Sequence, residues 1–319
     1  MTHEIASPQA TRLLCRLEQE LQQTYADWQV GELSIIGAGL DALVCRADSI
    51  RFGPVALRVP WTRWISNDND ADLDARLLLE QEATLATHMR THGVAAPQVF
   101  ALHLGADSFD FLVSEFVEND RSLPEGQSIG TLVRAIHDSP VIDHRLAVQG
   151  DVPIEDLVAE RLIQRAAVVE HLTNVRLPMP NLCDVRATLA WPAARRCILH
   201  MDVRPENMLT CAGKVRAIID WSNALLGDPV LELARIAEYG YLSDAFLAGY
   251  GLADCFAHLP AGVELLYRLD TAIMLAVVFL SEAPDPDRAV TQVQRVVDLC
   301  DALNQRRARP RTEMLPRSD

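Results

Sequence analysis

The sequence predicts an α+β chain of two lobes: a small first lobe with an antiparallel sheet, then a larger, mostly helical one. Three observations carry this. Runs rich in β-branched and apolar residues, divided by short turns, fill 30–60 and return at 98–115. Helix-period patterns dominate after Ser128. Between helical segments, 198–221 is a dense polar loop flanked by short apolar runs. A chain of 319 residues can bury one large core or two modest ones. Its 49% hydrophobic and 23% charged content describes a soluble globular protein.

The elements follow in order. Residues 9–28 place Leu13, Leu14, Leu17 and Leu21 at helical spacing, which predicts an amphipathic helix ahead of the first lobe. Residues 30–37, 42–48 and 54–60 read as three strands. Gly37-Ala38-Gly39-Leu40-Asp41 joins the first two, and Arg51-Phe52-Gly53 forms a hairpin turn before the third. Residues 61–70 read as a polar loop whose two tryptophans pack or stack, and a helix follows over 71–92, ending near Gly93. Two strands come next, at 98–104 and 109–115. Ser128 to Asp138 places Ile129, Leu132, Val133 and Ile136 on one helical face, with His137 packed at its end. Residues 153–190 add helix interrupted around Leu177-Pro178, and further helices are expected from Asp228-Pro229 to Glu238 and over 243–251, 261–280 and 287–303. Arginines crowd 305–319, which reads as a solvated, disordered tail.

Chemistry concentrates at His200-Met201-Asp202-Val203-Arg204-Pro205-Glu206-Asn207. Asp220 follows eighteen residues after Asp202, at the end of the apolar run Ala217-Ile218-Ile219. Phosphoryl transfer asks for a carboxylate beside the attacking hydroxyl and oxygen ligands for Mg²⁺. Asp202 suits the first task. Asn207 and Asp220 suit the second, one with a neutral oxygen and one with a charged oxygen, because hard Mg²⁺ completes its shell with water and phosphate. Arg204 can balance the charge of a transferring phosphoryl group.

This string resembles the catalytic loop and metal-binding aspartate of the protein-kinase-like superfamily. Gly227-Asp228-Pro229-Val230-Leu231-Glu232-Leu233-Ala234 resembles the run that follows in aminoglycoside-phosphotransferase-like small-molecule kinases. The resemblance implies a two-lobed protein-kinase-like fold, with an N-lobe over 1–117 and a C-lobe over 118–304 holding the catalytic loop and acceptor cleft. It implies ATP or GTP as donor and Mg²⁺ as cofactor. Gly37 and Gly39 would cover the phosphates. Arg58 would stand where kinases place lysine, since the chain's single lysine, Lys214, lies in the turn before Asp220. Glu82 and Glu80 compete as its acidic partner. Glu82-Ala83, followed by Leu85 and Gly93-Val94-Ala95-Ala96-Pro97, favours Glu82 by resemblance. Adenine would meet backbone at Glu115 and Val117, and His200 would support the loop. Met201 departs from the family's usual glycine, and Arg204 is closer to protein kinases.

The formal charge of −15 argues against nucleic acid as a partner. The longest apolar run, 272–280, is too short to span a bilayer, and no leader-like start is seen. Seven scattered cysteines without metal spacing read as free thiols in the cytoplasm. From Ser222 to Asp287 ten Asp and Glu face two Arg, which suits a cationic acceptor. The expected reaction is therefore Mg²⁺-dependent phosphorylation of a small cation, such as an aminoglycoside, macrolide or cationic peptide antibiotic, conferring resistance. The Gly39-to-Pro60 region is similar to macrolide enzymes. Alternatives are a kinase of amino sugars or choline-like metabolites, a protein kinase, and a binding protein without turnover. A protein kinase would need an activation segment, yet Gly227 follows Asp220 by seven residues.

Overall fold

A computed structural model describes residues 7–308, apart from 71, 108 and 192–194. The first lobe opens on α1 (Pro8–Thr24). Ser7 caps it by accepting the Ala10 N–H, and proline at the first helical position suits the fixed φ needed there. Then come β1 (Ser34–Ala38), β2 (Ala42–Ser49), β3 (Gly53–Pro60), β4 (Trp64–Ile65), β5 (Leu73–Asp74), α2 (Ala75–Thr91), β6 (Val99–Leu104) and β7 (Asp110–Glu115). The main sheet has order β1-β2-β3-β7-β6, and all its pairings are antiparallel.

In β3 the side-chain period of two decides what reaches the site. Val55, Leu57 and Val59 are buried against α1, and Arg58 faces the other way. Arg58 lies opposite Val44 of β2 and Leu112 of β7, in the middle of the sheet.

Two expectations shift here. The first strand begins at Ser34, because Val30 makes only an isolated bridge to Ser49. The segment expected as loop and early helix contains the short hairpin of β4 and β5. The helix therefore starts at Ala75, where the Asp74 carboxylate caps it by accepting the Arg76 N–H at 2.9 Å.

The second lobe holds α3 (Gly126–Asp138), α4 (Ile154–Thr173), α5 (Leu182–Leu189), β8 (Cys197–Leu199), β9 (Met208–Cys211), β10 (Lys214–Ile218), β11 (Leu225–Gly227), α6 (Pro229–Glu238), α7 (Asp244–Tyr250), α8 (Ala261–Val277) and α9 (Pro286–Ala308). One π-helical turn, Val278–Glu282, follows α8. Asn174 ends α4 in the left-handed conformation, φ 58°. Helix α9 continues through 305–308, so the stretch expected as a disordered tail begins inside a helix; from 309 onward it lies outside the described residues. Among the described residues no helix is long and apolar enough to cross a membrane.

Three apolar clusters hold the molecule. One joins α1 to the sheet. One joins α4, α5, α8 and α9. The third joins Leu85, Ala86 and Met89 of α2 to α3, β8 and Trp221, so a first-lobe helix shares a core with the second lobe.

Candidate active site

The loop at 200–207 is held between two small sheets. Antiparallel β8–β11 places Leu199 opposite Leu225 on one side, and the β9–β10 hairpin closes the other. His200 is fully buried at the hinge of this loop. Its Nδ1 accepts the Asp202 N–H at 3.2 Å, so its proton sits on Nε2, which donates to the Ile219 carbonyl at 3.1 Å. Burial pushes its pKa down, which keeps this neutral tautomer. His200 thus ties the two aspartate-bearing segments together and reaches no solvent.

Asp202 is 6% exposed, and fixed donors hold both of its carboxylate oxygens. Asn207 Nδ2 donates to Oδ2 at 2.6 Å and to the backbone oxygen at 3.0 Å. Tyr239 donates its hydroxyl to Oδ1 at 3.2 Å. Burial, and to a lesser degree Asp202 itself, push the phenol up to about 12, so it remains a donor. Arg204 reaches both oxygens through Nε, at 3.0 and 3.1 Å. Among the described residues its two terminal nitrogens make no hydrogen bond, which suits them to a phosphate.

Asp220 sits at φ 67°, in the left-handed region. Arg58 Nη1 and Ser222 Oγ both bond its Oδ1, at 2.9 and 2.7 Å. Burial raises the carboxyl, but the Arg58 charge and these two bonds outweigh it and hold it at about 2. The fit to Mg²⁺ follows from the donor set. Asp220 is ionised with Oδ2 left over, and Asn207 has Nδ2 committed to Asp202, leaving Oδ1 as its free ligand atom. Among the described residues there is no cluster of three acidic, His or Cys side chains that could hold a metal. One carboxylate and one amide match an ion that shares its shell with phosphates and water.

The partner of Arg58 is resolved in part. Glu82 of α2 stands 3.6 Å from it, whereas Glu80 acts on Arg76. Glu82 mainly grips backbone, accepting the N–H groups of Asp220 at 3.1 Å and Trp221 at 2.5 Å. Burial raises its pKa against the lowering effect of Arg58. Gln81, absent from the sequence reading, donates to the carbonyls of Trp221 and Ser222 at 2.5 and 3.2 Å. Helix α2 therefore clamps 220–222 from both sides of the peptide.

Helix α6 supplies the second clamp. Asp228 caps it by accepting the Val230 N–H at 3.0 Å. Glu232, Arg235 and Tyr239 then share one face at helical spacing. Glu232 accepts the Met201 N–H at 2.5 Å, and Arg235 donates to the Met201 carbonyl at 2.6 Å. Met201 has φ 64°, a conformation that costs a non-glycine residue roughly 1–2 kcal/mol, and these two bonds hold it there. His137 is buried behind Glu232, 2.7 Å from its carboxylate. The sequence signal for this clamp was the G-D-P-x-x-E run itself, read there only as a resemblance.

The sites expected for nucleotide are split. A cleft of about 1230 Å³ between the lobes is lined by Gly39, Arg58, Glu82, Glu115, Val117, Asp202, Arg204, Asn207 and Asp220, among others. Gly37 is not part of its wall: it pairs with Val44 inside the sheet. Neither glycine has positive φ, and a Cβ at Gly37 or Gly39 would meet ordinary contacts at 3.8 and 3.6 Å. Glu115 donates its N–H to the Gln98 carbonyl at 2.7 Å and turns its carboxylate to Arg90. Among the described residues no bond engages the Val117 N–H.

The family model for the phosphotransferase enzyme family, APH, matches residues 34–266. A comparison with curated proteins finds no match. Among solved structures, a thermostable mutant of the aminoglycoside phosphotransferase APH(4)-Ia, in ternary complex with AMP-PNP and hygromycin B, is 17% identical with a TM-score of 0.61; the match covers 92% of this chain and 99% of that one. A choline/ethanolamine kinase family protein from Mesorhizobium loti is 20% identical, with a TM-score of 0.58 over 91% and 94% of the two chains. A GDP complex of an aminoglycoside 2′-phosphotransferase IIIa mutant is 13% identical, with a TM-score of 0.54 over 92% and 98%. These likenesses give the kinase-like two-lobed fold. With the family match over most of its length, the chain belongs to the phosphotransferase enzyme family and is a small-molecule kinase by class.

Proposed function

We propose that the protein transfers the γ-phosphoryl group of ATP or GTP to a hydroxyl of a small molecule, with Mg²⁺ as cofactor. The observation that carries this is the Asp202 carboxylate, held by Asn207, Tyr239 and Arg204 in the same cleft as ionised Asp220. Asp202 orients the acceptor hydroxyl and takes its proton as the oxygen attacks the γ-phosphorus and the bond to the β-phosphate oxygen breaks. Arg204 stabilises charge on the transferred group. Arg58, released from Asp220, holds the donor phosphates. Asn207 Oδ1 and Asp220 Oδ2 would hold Mg²⁺, which would screen the phosphate charge there. The nucleotides AMP-PNP and GDP in the related structures support a purine triphosphate donor without choosing between ATP and GTP. All seven cysteines are unpaired, which suits a reducing compartment such as the cytoplasm.

The acidic second lobe supports a cationic antibiotic as acceptor less than its charge count suggests. Glu232 pairs with His137, Glu238 with Arg268 and Arg295, and Asp270 with Arg165, so these carboxylates already have partners. Hygromycin B in the related structure keeps antibiotics on the panel. The test is nucleoside diphosphate release, with mass spectrometry of each acceptor, across antibiotics, amino sugars, amino alcohols and hydroxy acids. One acceptor class should gain a phosphate. Asp202→Ala should cut that turnover by about 10²–10⁴-fold while nucleotide affinity stays near wild type. Undiminished turnover would remove Asp202 from the reaction.

A further inference from the structure

One end of the cleft gathers three largely buried arginines. Arg161 and Arg165 of α4 and Arg235 of α6 all line it. The Arg165 side chain is 3% exposed and that of Arg161 12%. Arg235 is 5% exposed. A permanently charged guanidinium at such burial needs anionic partners. Arg165 has Asp270 at 3.3 Å, and Arg235 is committed to the Met201 carbonyl. The Nε atoms of Arg165 and Arg235 find no acceptor among the described residues.

The remaining counter-charge comes from both lobes: Glu282 of the π-helical turn acts on Arg165, and Asp70 approaches from the first lobe. Asp70, at the tip of the β4–β5 hairpin, places one oxygen 3.5 Å from Arg161 and 3.8 Å from Arg165. Both contacts are long and monodentate, well short of a tight carboxylate–guanidinium fork. Burial, then repulsion from Arg165, pushes Arg161 down to about 10 against the pull of Asp70 and Asp270. The hairpin tip is held there by polar bonds. Asn69 donates its N–H and its Nδ2 to Glu282 of the π-helical turn, both at 3.0 Å, and Asn67 accepts the Asp70 N–H at 2.7 Å.

We propose that the acceptor carries an anionic oxygen group, a carboxylate or a phosphate monoester, and seats it on Arg161 and Arg165 in the place that the Asp70 carboxylate holds here. This deepens the phosphotransfer reading of the same cleft and rests on it. Asp70 acts as an internal stand-in that keeps the arginines paired until the acceptor displaces it. Arg235, bonded beside Asp202 and close enough to Arg161 to repel it, links the anion seat to the reacting end. The acceptor's hydroxyl and its anionic group then lie at opposite ends of one molecule.

Small hydroxy compounds of opposite charge test this on the full chain by calorimetry, with and without AMP-PNP and Mg²⁺. Glycerate and glycerol 3-phosphate serve as anions, ethanolamine and choline as cations. The anions should bind and the cations should not, and the tighter anion names the group. Asp70→Asn removes the internal competitor and should tighten the anions about tenfold, a change of about 1.4 kcal/mol. Arg161→Gln should weaken them about tenfold or more, and Arg161→Lys should restore part of the loss. Thermal melting checks that each variant folds. Cations binding as well as anions, anion affinity indifferent to both substitutions, or no anion binding even to Asp70→Asn would each overturn the proposal. Wild-type AMP-PNP affinity is read separately. Its absence removes the phosphotransfer reading, while the anion seat still stands or falls on the probe titrations.

Discussion

Glu232 has no exposed surface, yet its carboxyl is held below the usual range. Burial raises it, and the hydrogen bond and charge of His137, with the Met201 N–H, pull it down further than burial lifts it. A carboxyl depressed in the folded state contributes stability that is complete above its unfolded pKa, near 4.5, and is lost as pH falls through the folded value. Replacing Glu232 by Gln should therefore cost about 1–3 kcal/mol at neutral pH, where one donor loses its acceptor. The deficit should shrink as pH falls from 5 toward 3. Melting temperature against pH for both proteins measures this, and a deficit that is constant across the acid range would deny Glu232 its charged role. At this scale the sequence was legible where chemistry is local. Asp202, Asn207, Asp220 and His200 sit in one short string, and the structure brings them together. Gln81, Arg161, Arg165 and Asp70 were not legible, because each matters through a partner more than 85 residues away or through burial, which a string of letters does not display.

At the scale of elements, the strands of the main sheet were readable because alternation and turn residues mark them. The β4–β5 hairpin was not, since two-residue strands carry no period. The packing of α3 on α7 was hidden as well, although both helices were expected. A Cβ on Gly130 would lie 2.0 Å from the Phe246 carbonyl oxygen, and one on Gly249 would lie 2.2 Å from that of Gln127. The two backbones touch, and side chains would drive them apart. The contact seats Phe246 and Tyr250 in the core that also holds Trp221 behind the catalytic loop. Gly130→Ala keeps the helix but should separate the pair, costing about 1–3 kcal/mol by overpacking. In an exposed helix the same change stabilises, because glycine is the poorer helix former. A urea midpoint at or above wild type would show that the helices yield without strain.

At the scale of the molecule, the lobes do not meet only across an empty cleft. Helix α2 shares its core with the second lobe, and its Gln81 and Glu82 hold 220–222. The linker after the sheet is equally committed to the second lobe. Asp120 donates its N–H to the Thr210 carbonyl at 3.0 Å and its carboxylate accepts the Ala212 N–H at 2.7 Å. Asn119 accepts from Thr210, and Glu125 donates to the Gly213 carbonyl at 2.7 Å. The segments left to act as hinges are narrow: Val117 and Glu118 on one side, since the Phe116 N–H still bonds the Pro54 carbonyl at 3.1 Å, and the end of α2 on the other, at Gly93 with φ 80°. If nucleotide draws the sheet down over the cleft, motion should localise there, because the linker and α2 are already bonded to the second lobe. Hydrogen exchange resolves this directly. Without nucleotide, amides at 119–125 should already be protected while 117–118 exchange quickly. AMP-PNP with Mg²⁺ should slow exchange at 117–118 and along β1 to β3, and leave 119–125 and α6 nearly unchanged. Protection that instead appears across 119–125 would move the hinge into the linker, and α2 would then travel with the sheet and carry its grip on Asp220 with it.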